Sequence, residues 1–321
     1  MRRTMLVAGI LLILAAGLVY AQYRSDLSTA RRELQAGSQI AHTACGPIEY
    51  AVAGSGPAVL VIHGAGGGYS QVAAISEWLA ASGFKAIAMS RFGYLRTPLP
   101  ADASPAAQAD AHVCLLDTLG LSKGAAVGLS AGAPSALQYC QRHPRCSALV
   151  LLVPAIAVPG RDVADTTPPS PFWQFIFEHV LGSDFAIWAL TRVWPEMLVE
   201  TVLATPSEEF RRASPAERQR GLSVIRDIFP VSLKADGLRN DARVTTPTPA
   251  RHLERITAPT LAISAKDDLY NTAGGATYAA EQIPGARLIL FPTGGHAWLG
   301  HDAVVRDEVV TFLRRATSSR Q

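Results

Sequence analysis

The stretch that decides the fold is Gly128-Leu129-Ser130-Ala131-Gly132. The apolar run before it is typical of a buried β-strand, and the run from Pro134 to Cys140 is typical of a helix. G-x-S-x-G between a strand and a helix indicates a sharp, strained turn that exposes the serine hydroxyl above a sheet, at the positive end of the helix. Gly128 and Gly132 lack Cβ atoms, which lets the strand and the helix approach each other around the turn. The pattern favours Ser130 as a nucleophile over the alternative, an ordinary glycine-rich turn.

A serine nucleophile of this kind works with an acid, a base and an oxyanion hole, and the triad follows the chain order Ser, Asp, His. The composition allows such an enzyme, because 321 residues, 49% hydrophobic and 17% charged, provide a large core and one or two domains. The net charge of +3 is small and spread along the chain, which predicts no nucleic-acid partner.

The N-terminus predicts a targeting segment. Met1-Arg2-Arg3 is a short basic region, and Met5 to Ala21 contains no charged residue. This run is long for the apolar part of a signal peptide and short for a membrane-spanning helix, and Val19-Tyr20-Ala21 offers small residues for cleavage. Residues 1–22 are therefore a membrane anchor or a cleaved signal peptide, and a buried helix is the third interpretation. The first two export the body to the periplasmic or extracellular side, with residues 23–44 as a polar stalk.

A glycine-rich loop follows the first buried strand. Ala58 to Ile62 is apolar throughout, as in a parallel strand covered on both faces, and it ends in His63-Gly64-Ala65-Gly66-Gly67-Gly68. Such a loop cradles a phosphate or donates a backbone N–H to an oxyanion. The phosphate motif G-x-G-x-x-G and its lysine are absent, so we favour the oxyanion loop, with His63 as a structural partner of that loop.

Strands and helices alternate along the rest of the first half. Phe84–Met89 and Ala148–Val153 are predicted strands, Pro105–Leu119 is a predicted helix, and Gly46–Ala53 alternates enough to be an edge strand. This order predicts a parallel sheet with helices on both faces.

These motifs resemble the α/β-hydrolase superfamily, in its branch that cleaves esters, lactones and C–C bonds. The resemblance runs from about Gly46 to Leu313. It implies an α/β fold with a doubly wound, mostly parallel sheet and a helical cap inserted after the sixth strand. Ser90, Leu95 and Thr97 stand where the family usually has Asp, Gly and Ser in the loop that shapes the entrance. The residues that carry the resemblance are His63-Gly64-Ala65-Gly66-Gly67, Arg91-Phe92-Gly93-Tyr94, Gly128 to Gly132, Asp268 and Gly295-His296.

The resemblance implies the rest of a catalytic triad. The acid lies on the loop after the strand 258–264, where the family spacing selects Asp268 and leaves Asp267 to face away. The base is His296 in a Gly-Gly-His loop, and His301 is the weaker candidate. The oxyanion hole is then formed by the backbone N–H groups of Ala65 and Ala131.

The resemblance also implies the domain boundaries. Residues 45–153 and 254–317 form the core, and 154–253 form the cap, whose aromatic side chains mostly pack the cap onto the core. Some of them are expected to line an apolar pocket. The expected substrate-binding residues are Gly66, Phe92, Trp173 and Trp298.

Four cysteines, Cys45, Cys114, Cys140 and Cys146, permit disulfides if the body is exported. They allow three pairings, of which Cys140 with Cys146 spans a short turn, and buried free thiols are the alternative. No cluster of His, Cys and Asp has metal-ligand spacing, so neither a metal nor a cofactor is expected.

The sequence therefore predicts a serine hydrolase that cleaves an ester-like bond of a small apolar molecule through an acyl-enzyme at Ser130. A C–C bond hydrolase and a cofactor-free haloperoxidase-like enzyme are alternatives that use the same residues. An alternative of another class is a non-catalytic ligand-binding member of the fold. The membrane is a partner through the N-terminal segment if that segment is uncleaved, and the oligomeric state is not predicted.

Overall fold

The computed structural model describes residues 2–159, 182–244 and 250–318. Its centre is an eight-stranded sheet in the order β1-β2-β4-β3-β5-β6-β7-β8. The strands are β1 (Gln39–Thr43), β2 (Gly46–Ala53), β3 (Ala58–Ile62), β4 (Lys85–Met89), β5 (Gly124–Leu129), β6 (Cys146–Leu152), β7 (Thr260–Ala265) and β8 (Arg287–Phe291). The pairs β1–β2 and β2–β4 are antiparallel, and all the other pairs are parallel, which confirms the mostly parallel sheet.

Helices cover both faces of this sheet. The described helices are α1 (Arg2–Ala36), α2 (Ala73–Ala81), α3 (Pro105–Thr118), α4 (Ala133–Arg142), α5 (Asp184–Val193), α6 (Pro195–Thr201), α7 (Ser207–Arg212), α8 (Pro215–Asp227), α9 (Ala235–Val244), α10 (Thr272–Gln282) and α11 (Asp302–Ser318). In β3, Leu60 and Ile62 pack with α3, α4 and α10, whereas Val59 and Val61 pack with α2 and α11. Burial on two faces explains why this strand is apolar throughout.

The predicted cap is confirmed between the sixth and seventh strands. In the described part of the chain between β6 and β7, residues 182–244 form helices α5 to α9. They bury a small apolar cluster of their own, with Leu198, Val199 and Phe210, and this cluster also takes in Ala297 and Leu299 from the loop after β8. The cap is thus packed directly onto the loop that carries His296.

The predicted stalk, residues 23–44, is wrong as a separate segment. Gln39–Thr43 is the edge strand β1, paired antiparallel with β2, so Gly46–Ala53 is not at the edge. The second half of α1 also lies on the body, because Leu27 is buried and the Tyr69 hydroxyl donates a hydrogen bond of 2.8 Å to the Leu34 carbonyl. A five-residue strand next to a polar helix carries too little apolar periodicity to be read from the sequence.

All four cysteines are paired. One disulfide joins Cys45, in the turn between β1 and β2, to Cys114 on α3, and the other joins Cys140 to Cys146 across the short connection from α4 to β6. Of the three pairings that the sequence allows, the structure has the one that includes the short-range pair.

Candidate active site

The turn at Ser130 has the backbone that its motif predicts. Ser130 has a φ of +49°, in the left-handed region that a residue with a side chain rarely adopts. A Cβ on Gly128 would lie 2.8 Å from the Cβ of Ala136, and a Cβ on Gly132 would lie 2.6 Å from the Ile62 carbonyl oxygen. Both glycines are therefore required by close approach, and they let β5 turn directly into α4 with Ser130 at the bend.

The structure brings together the three side chains that were predicted as a triad. His296 Nε2 lies 3.0 Å from Ser130 Oγ, and His296 Nδ1 lies 2.7 Å from Asp268 Oδ2. The side chain of Asp268 is fully buried, and that of His296 is 9% exposed. They come from the loops after β5, β7 and β8, whose carboxyl ends meet at one edge of the sheet.

Hydrogen bonds around Asp268 decide which nitrogen of His296 carries the proton. Asp268 Oδ1 accepts from the Tyr270 N–H at 2.8 Å, and Oδ2 accepts from the Thr272 hydroxyl as well as from His296. A carboxylate only accepts, so Nδ1 of His296 is the donor and Nε2 faces Ser130 with its lone pair. This arrangement can remove a proton from the serine hydroxyl.

Two backbone N–H groups near Ser130 have no hydrogen-bond acceptor among the described residues. In the loop after β3, the Gly64 N–H donates to Gln71 Oε1 at 2.8 Å, and the Gly66 N–H donates to the Tyr94 hydroxyl at 3.3 Å. Among the described residues, neither the Ala65 N–H nor the Ala131 N–H, in the first turn after the bend, has an acceptor. These are the two groups that the sequence predicts as an oxyanion hole, and that role stays a prediction.

His63 holds this loop and is neutral. Its Nδ1 donates to the Gly64 carbonyl at 2.7 Å, so its Nε2 accepts the Arg91 N–H at 2.9 Å. Complete burial, and then the positive charge of Arg91, lower the pKa of His63 well below its usual 6.5. The ring therefore has the structural role that the sequence assigns to it.

A buried ion pair connects the same loop to the cap. The Arg91 guanidinium binds both carboxylate oxygens of Asp241 on α9 at 2.6 Å, and it also donates to the carbonyls of His63 and Gly64. The Tyr94 hydroxyl donates to Asp241 at 2.5 Å while it accepts from the oxyanion loop. The sequence analysis missed Asp241, because nothing local marks one acid of a polar cap helix as the partner of a residue 150 positions earlier.

Contacts of the loop at residues 90–97 explain why Ser90, Leu95 and Thr97 can differ from the residues usual in the family. The hydroxyl of Ser90 donates to the buried carboxylate of Glu49 at 2.8 Å, so β2 supplies the negative charge that the family usually carries on its aspartate. Thr97 accepts the Glu49 N–H at 2.9 Å, and Leu95 has a φ of +52° where the family has glycine. These contacts hold the loop with residues other than those usual in the family.

A second cap segment holds the acid loop and the histidine loop. The Ala204 carbonyl, just after α6, accepts from the Leu269 N–H at 3.1 Å and from the His296 N–H at 3.4 Å. The hydroxyl of Thr205 accepts from the Ala297 N–H at 3.1 Å. Residues adjacent to both Asp268 and His296 are thus tied to one point of the cap, which sequence reasoning did not foresee.

Asp267 also binds the histidine loop, although it faces away from the imidazole. Its two carboxylate oxygens accept from the Gly294 N–H at 3.1 Å and from the Gly295 N–H at 2.8 Å. The adjacent acids Asp267 and Asp268 therefore support the same histidine by different routes, one through the backbone and one through the ring.

The four predicted substrate-binding residues have different positions. Gly66 faces the cap side chains Ile228 and Leu238, and Phe92 lies beside Ala131 on a small cavity, so both stay predictions. Trp298 stays a prediction as well, and its indole is buried in the core with Val305 and Phe312. Trp173 and the neighbouring cap aromatics lie outside the described residues. His301, the weaker base candidate, stacks on Phe291 with 4.0 Å between ring centres.

Comparison with known proteins shows the family of this chain. A family model described as the alpha/beta hydrolase fold matches residues 57–300, which is most of the chain. The chain therefore belongs to the α/β-hydrolase fold family and is a hydrolase of that family.

Three individual proteins that match this chain are each less than 30% identical to it. The chain is 26% identical over 271 residues to an uncharacterized hydrolase, YcgS, of Bacillus subtilis, covering 80% of this chain and 91% of that protein. An alpha/beta hydrolase fold protein from Nakamurella multipartita matches with a TM-score of 0.65 and 28% identity, over 86% of this chain and 99% of that one. A thermophilic esterase from Thermogutta terrifontis matches with a TM-score of 0.63 at 22% identity, over 87% and 98% of the two chains, which shows the shared fold.

Proposed function

We propose that this hydrolase cleaves an ester-like bond, in an ester, lactone or thioester, of a small apolar molecule through an acyl-enzyme at Ser130. The observation that carries the proposal is the chain of hydrogen bonds from Asp268 through His296 to Ser130, at 2.7 and 3.0 Å. The two open N–H groups of Ala65 and Ala131 beside this chain support an acyl transfer.

The reaction follows from these positions. Ser130 Oγ attacks the carbonyl carbon while His296 Nε2 takes its proton, and the imidazolium is stabilised by the buried carboxylate of Asp268. The oxyanion that forms is held by the two backbone N–H groups, each of which contributes about 3–4 kcal/mol to the barrier reduction. His296 then returns the proton to the leaving group, and water hydrolyses the acyl-enzyme by the same steps in reverse.

The surroundings of the triad support an apolar substrate. The ring of Tyr270 stands edge-on to His296, with 5.2 Å between ring centres, and Leu269 and Tyr270 remain 56% and 55% exposed. The cap residues Ile228 and Leu238 face Gly66 in the proposed oxyanion loop. Apolar side chains beside a few directed polar groups are typical of small-molecule sites.

The remaining proposals concern location and organisation. One apolar N-terminal helix, with a mean hydropathy of 2.4 and no part of that window buried, is long enough to cross a membrane. We propose that residues 1–22 anchor the protein and that the body is exported, which its two disulfides support, since such bonds persist in oxidising compartments. The core then comprises residues 39–153 and 254–317, and the cap comprises 154–253.

The test is hydrolysis of a panel of p-nitrophenyl esters of increasing acyl length, together with lactones and thioesters. We expect turnover of the short or medium apolar acyl groups by the full chain, and loss of that turnover in Ser130→Ala. Ser223→Ala, which removes an exposed serine of the cap, is the matched control and is expected to keep the full rate. Turnover that persists in Ser130→Ala, or a folded protein inactive on the whole panel, would contradict the proposal.

A further inference from the structure

The cap carries an exposed apolar face that the proposed reaction does not use. Phe185 on α5 is 43% exposed, Val193 and Trp194 are each 61% exposed, and Met197 on α6 is 40% exposed. These four side chains, which we call the α5–α6 apolar face, come from a single stretch of the cap. Large exposed apolar side chains this close together along the chain indicate an interaction site.

The same helix α5 is fixed to the N-terminal helix. The ring of Tyr23 lies edge-on to the rings of Phe185 and Trp188, at 5.2 and 5.6 Å between centres. The carboxylate of Asp26 accepts from the Trp188 indole N–H at 2.8 Å and from the Arg192 guanidinium at 2.6 Å. The cap is therefore held at a defined place along α1.

That place is next to the end of the apolar run of α1. Asp26 follows Ala21, the last residue of the run, by five positions, which corresponds to about 8 Å along a helix. Tyr20 is 56% exposed, and its ring lies 6.0 Å from the ring of Tyr23, tilted by 48°, so aromatic rings from α1 and α5 meet at this level. Aromatic belts of this kind mark the boundary between lipid and water.

The charged residues at this boundary indicate which kind of membrane surface the cap would contact. Arg192 is paired with Asp26, and Arg31 lies 3.7 Å from Asp184. Because these two cations already have acidic partners within the protein, they add little attraction for an anionic headgroup. Arg24 is a further cation at this level, and it belongs to α1 and not to the cap. The contact offered to a membrane is apolar and aromatic.

We propose that the α5–α6 apolar face inserts into the interfacial layer of the same bilayer that holds α1, so that the cap rests on the lipid surface. This inference rests on the proposed N-terminal anchor and goes beyond it, because an anchor alone leaves the body free above the membrane. Here the cap that holds the acid and histidine loops is itself in contact with lipid. Because the contact is apolar, it forms on zwitterionic lipid and persists at high salt.

The test places a fluorescent label at single positions of the full chain. The four native cysteines are paired, so one introduced cysteine is the only free thiol. Val193→Cys reports on the cap face, and Val304→Cys, an exposed valine of α11 that is 49% exposed, is the matched control. Ile13→Cys, in the apolar run, reports on the anchor. Each variant carries an NBD label and is placed in phosphatidylcholine nanodiscs with and without nitroxide-labelled lipid.

We expect nitroxide quenching and a blue-shifted emission at positions 193 and 13, and neither at position 304, with no change at high salt. Quenching at 13 without quenching at 193 overturns the cap contact and leaves the anchor standing. Quenching at 193 alone overturns the anchor and retains the cap contact. A blue shift at 193 that dilution abolishes and nitroxide lipid does not quench identifies a second copy of the chain as the occupant, and it also overturns the proposal.

Discussion

The adjacent acids Asp267 and Asp268 give the sharpest test of the site, because one substitution made at two neighbouring positions is expected to have unequal effects. Asp268→Asn changes one oxygen of a fully buried carboxylate into an amide group. The oxygen that remains can still accept from the Tyr270 N–H, so the amide nitrogen faces His296 and Thr272. An amide N–H donates, and His296 Nδ1 must then accept.

This exchange moves the imidazole proton to Nε2, where it points at Ser130 and cannot remove the serine proton. The corresponding substitution in a serine protease lowers kcat by about 10⁴-fold, which is about 5 kcal/mol of barrier. The magnitude expected for Asp268→Asn is the same, with KM little changed, because substrate binding does not use this carboxylate.

Asp267→Asn has a different cost. The asparagine oxygen can still accept a hydrogen bond from the backbone N–H of Gly294 or of Gly295. The second of these N–H groups loses its hydrogen bond to a charged acceptor. Such a loss is about 1–3 kcal/mol of stability. The expected result is a lower melting temperature with a loss of kcat well under 100-fold.

The assay measures kcat and KM of both variants on one activated ester, with denaturant unfolding to give the stability of each. The reasoning is refuted if Asp267→Asn is the inactive variant while Asp268→Asn turns over normally. It is also refuted if both variants lose kcat by the same factor, since only one acid contacts the imidazole.

Three further outcomes are expected. Thr205→Val leaves the buried Ala297 N–H without an acceptor, which should lower the stability by about 1–3 kcal/mol and also lower kcat. Thr205→Ser keeps the hydroxyl and should have the stability and kcat of the unmodified chain. If the two variants behave alike in unfolding and turnover assays, this role of Thr205 is contradicted. Asp241→Asn leaves the Arg91 guanidinium buried without its partner and should cost about 3–5 kcal/mol in denaturant unfolding, whereas a loss below about 1 kcal/mol would show that the pair is not needed. Burial lowers the pKa of His112 from 6.5 to about 3, so this ring stays neutral when the unfolded ring binds a proton, and the free energy of unfolding should fall below pH 6.5 by about 1.4 kcal/mol per pH unit. His112→Gln should remove this part of the slope in unfolding measured at several pH values, and an unchanged slope contradicts it.

The parts of the site that could be predicted from the sequence are those with a local signature. The bend at Ser130 needs glycines on either side because neighbouring atoms leave no room for a Cβ. This requirement appears in the sequence as a motif of five consecutive residues. The oxyanion loop and the Gly-Gly-His loop are also short and rich in glycine. Most strands could be predicted for a similar reason, since burial on both faces gives continuous apolar runs such as β3.

The parts that could not be predicted depend on contacts between distant segments. Ala204 contributes only a backbone carbonyl, which no side-chain pattern reveals, and Asp241 meets Arg91 across 150 residues. The burial of Trp298 in the core is a third such case, because the sequence predicts this residue only as one that binds substrate. Its packing against Val305 and Phe312 depends on the fold, and spacing along the chain does not show it.

The central claim is that Ser130 is the residue that becomes acylated. The most direct measurement is the mass of the adduct that a fluorophosphonate leaves on the full chain, mapped to a single peptide. We expect one adduct per chain on Ser130, absent from Ser130→Ala and formed much more slowly in His296→Gln. An adduct on another serine, or labelling of Ser130→Ala at the rate of the unmodified chain, would contradict it.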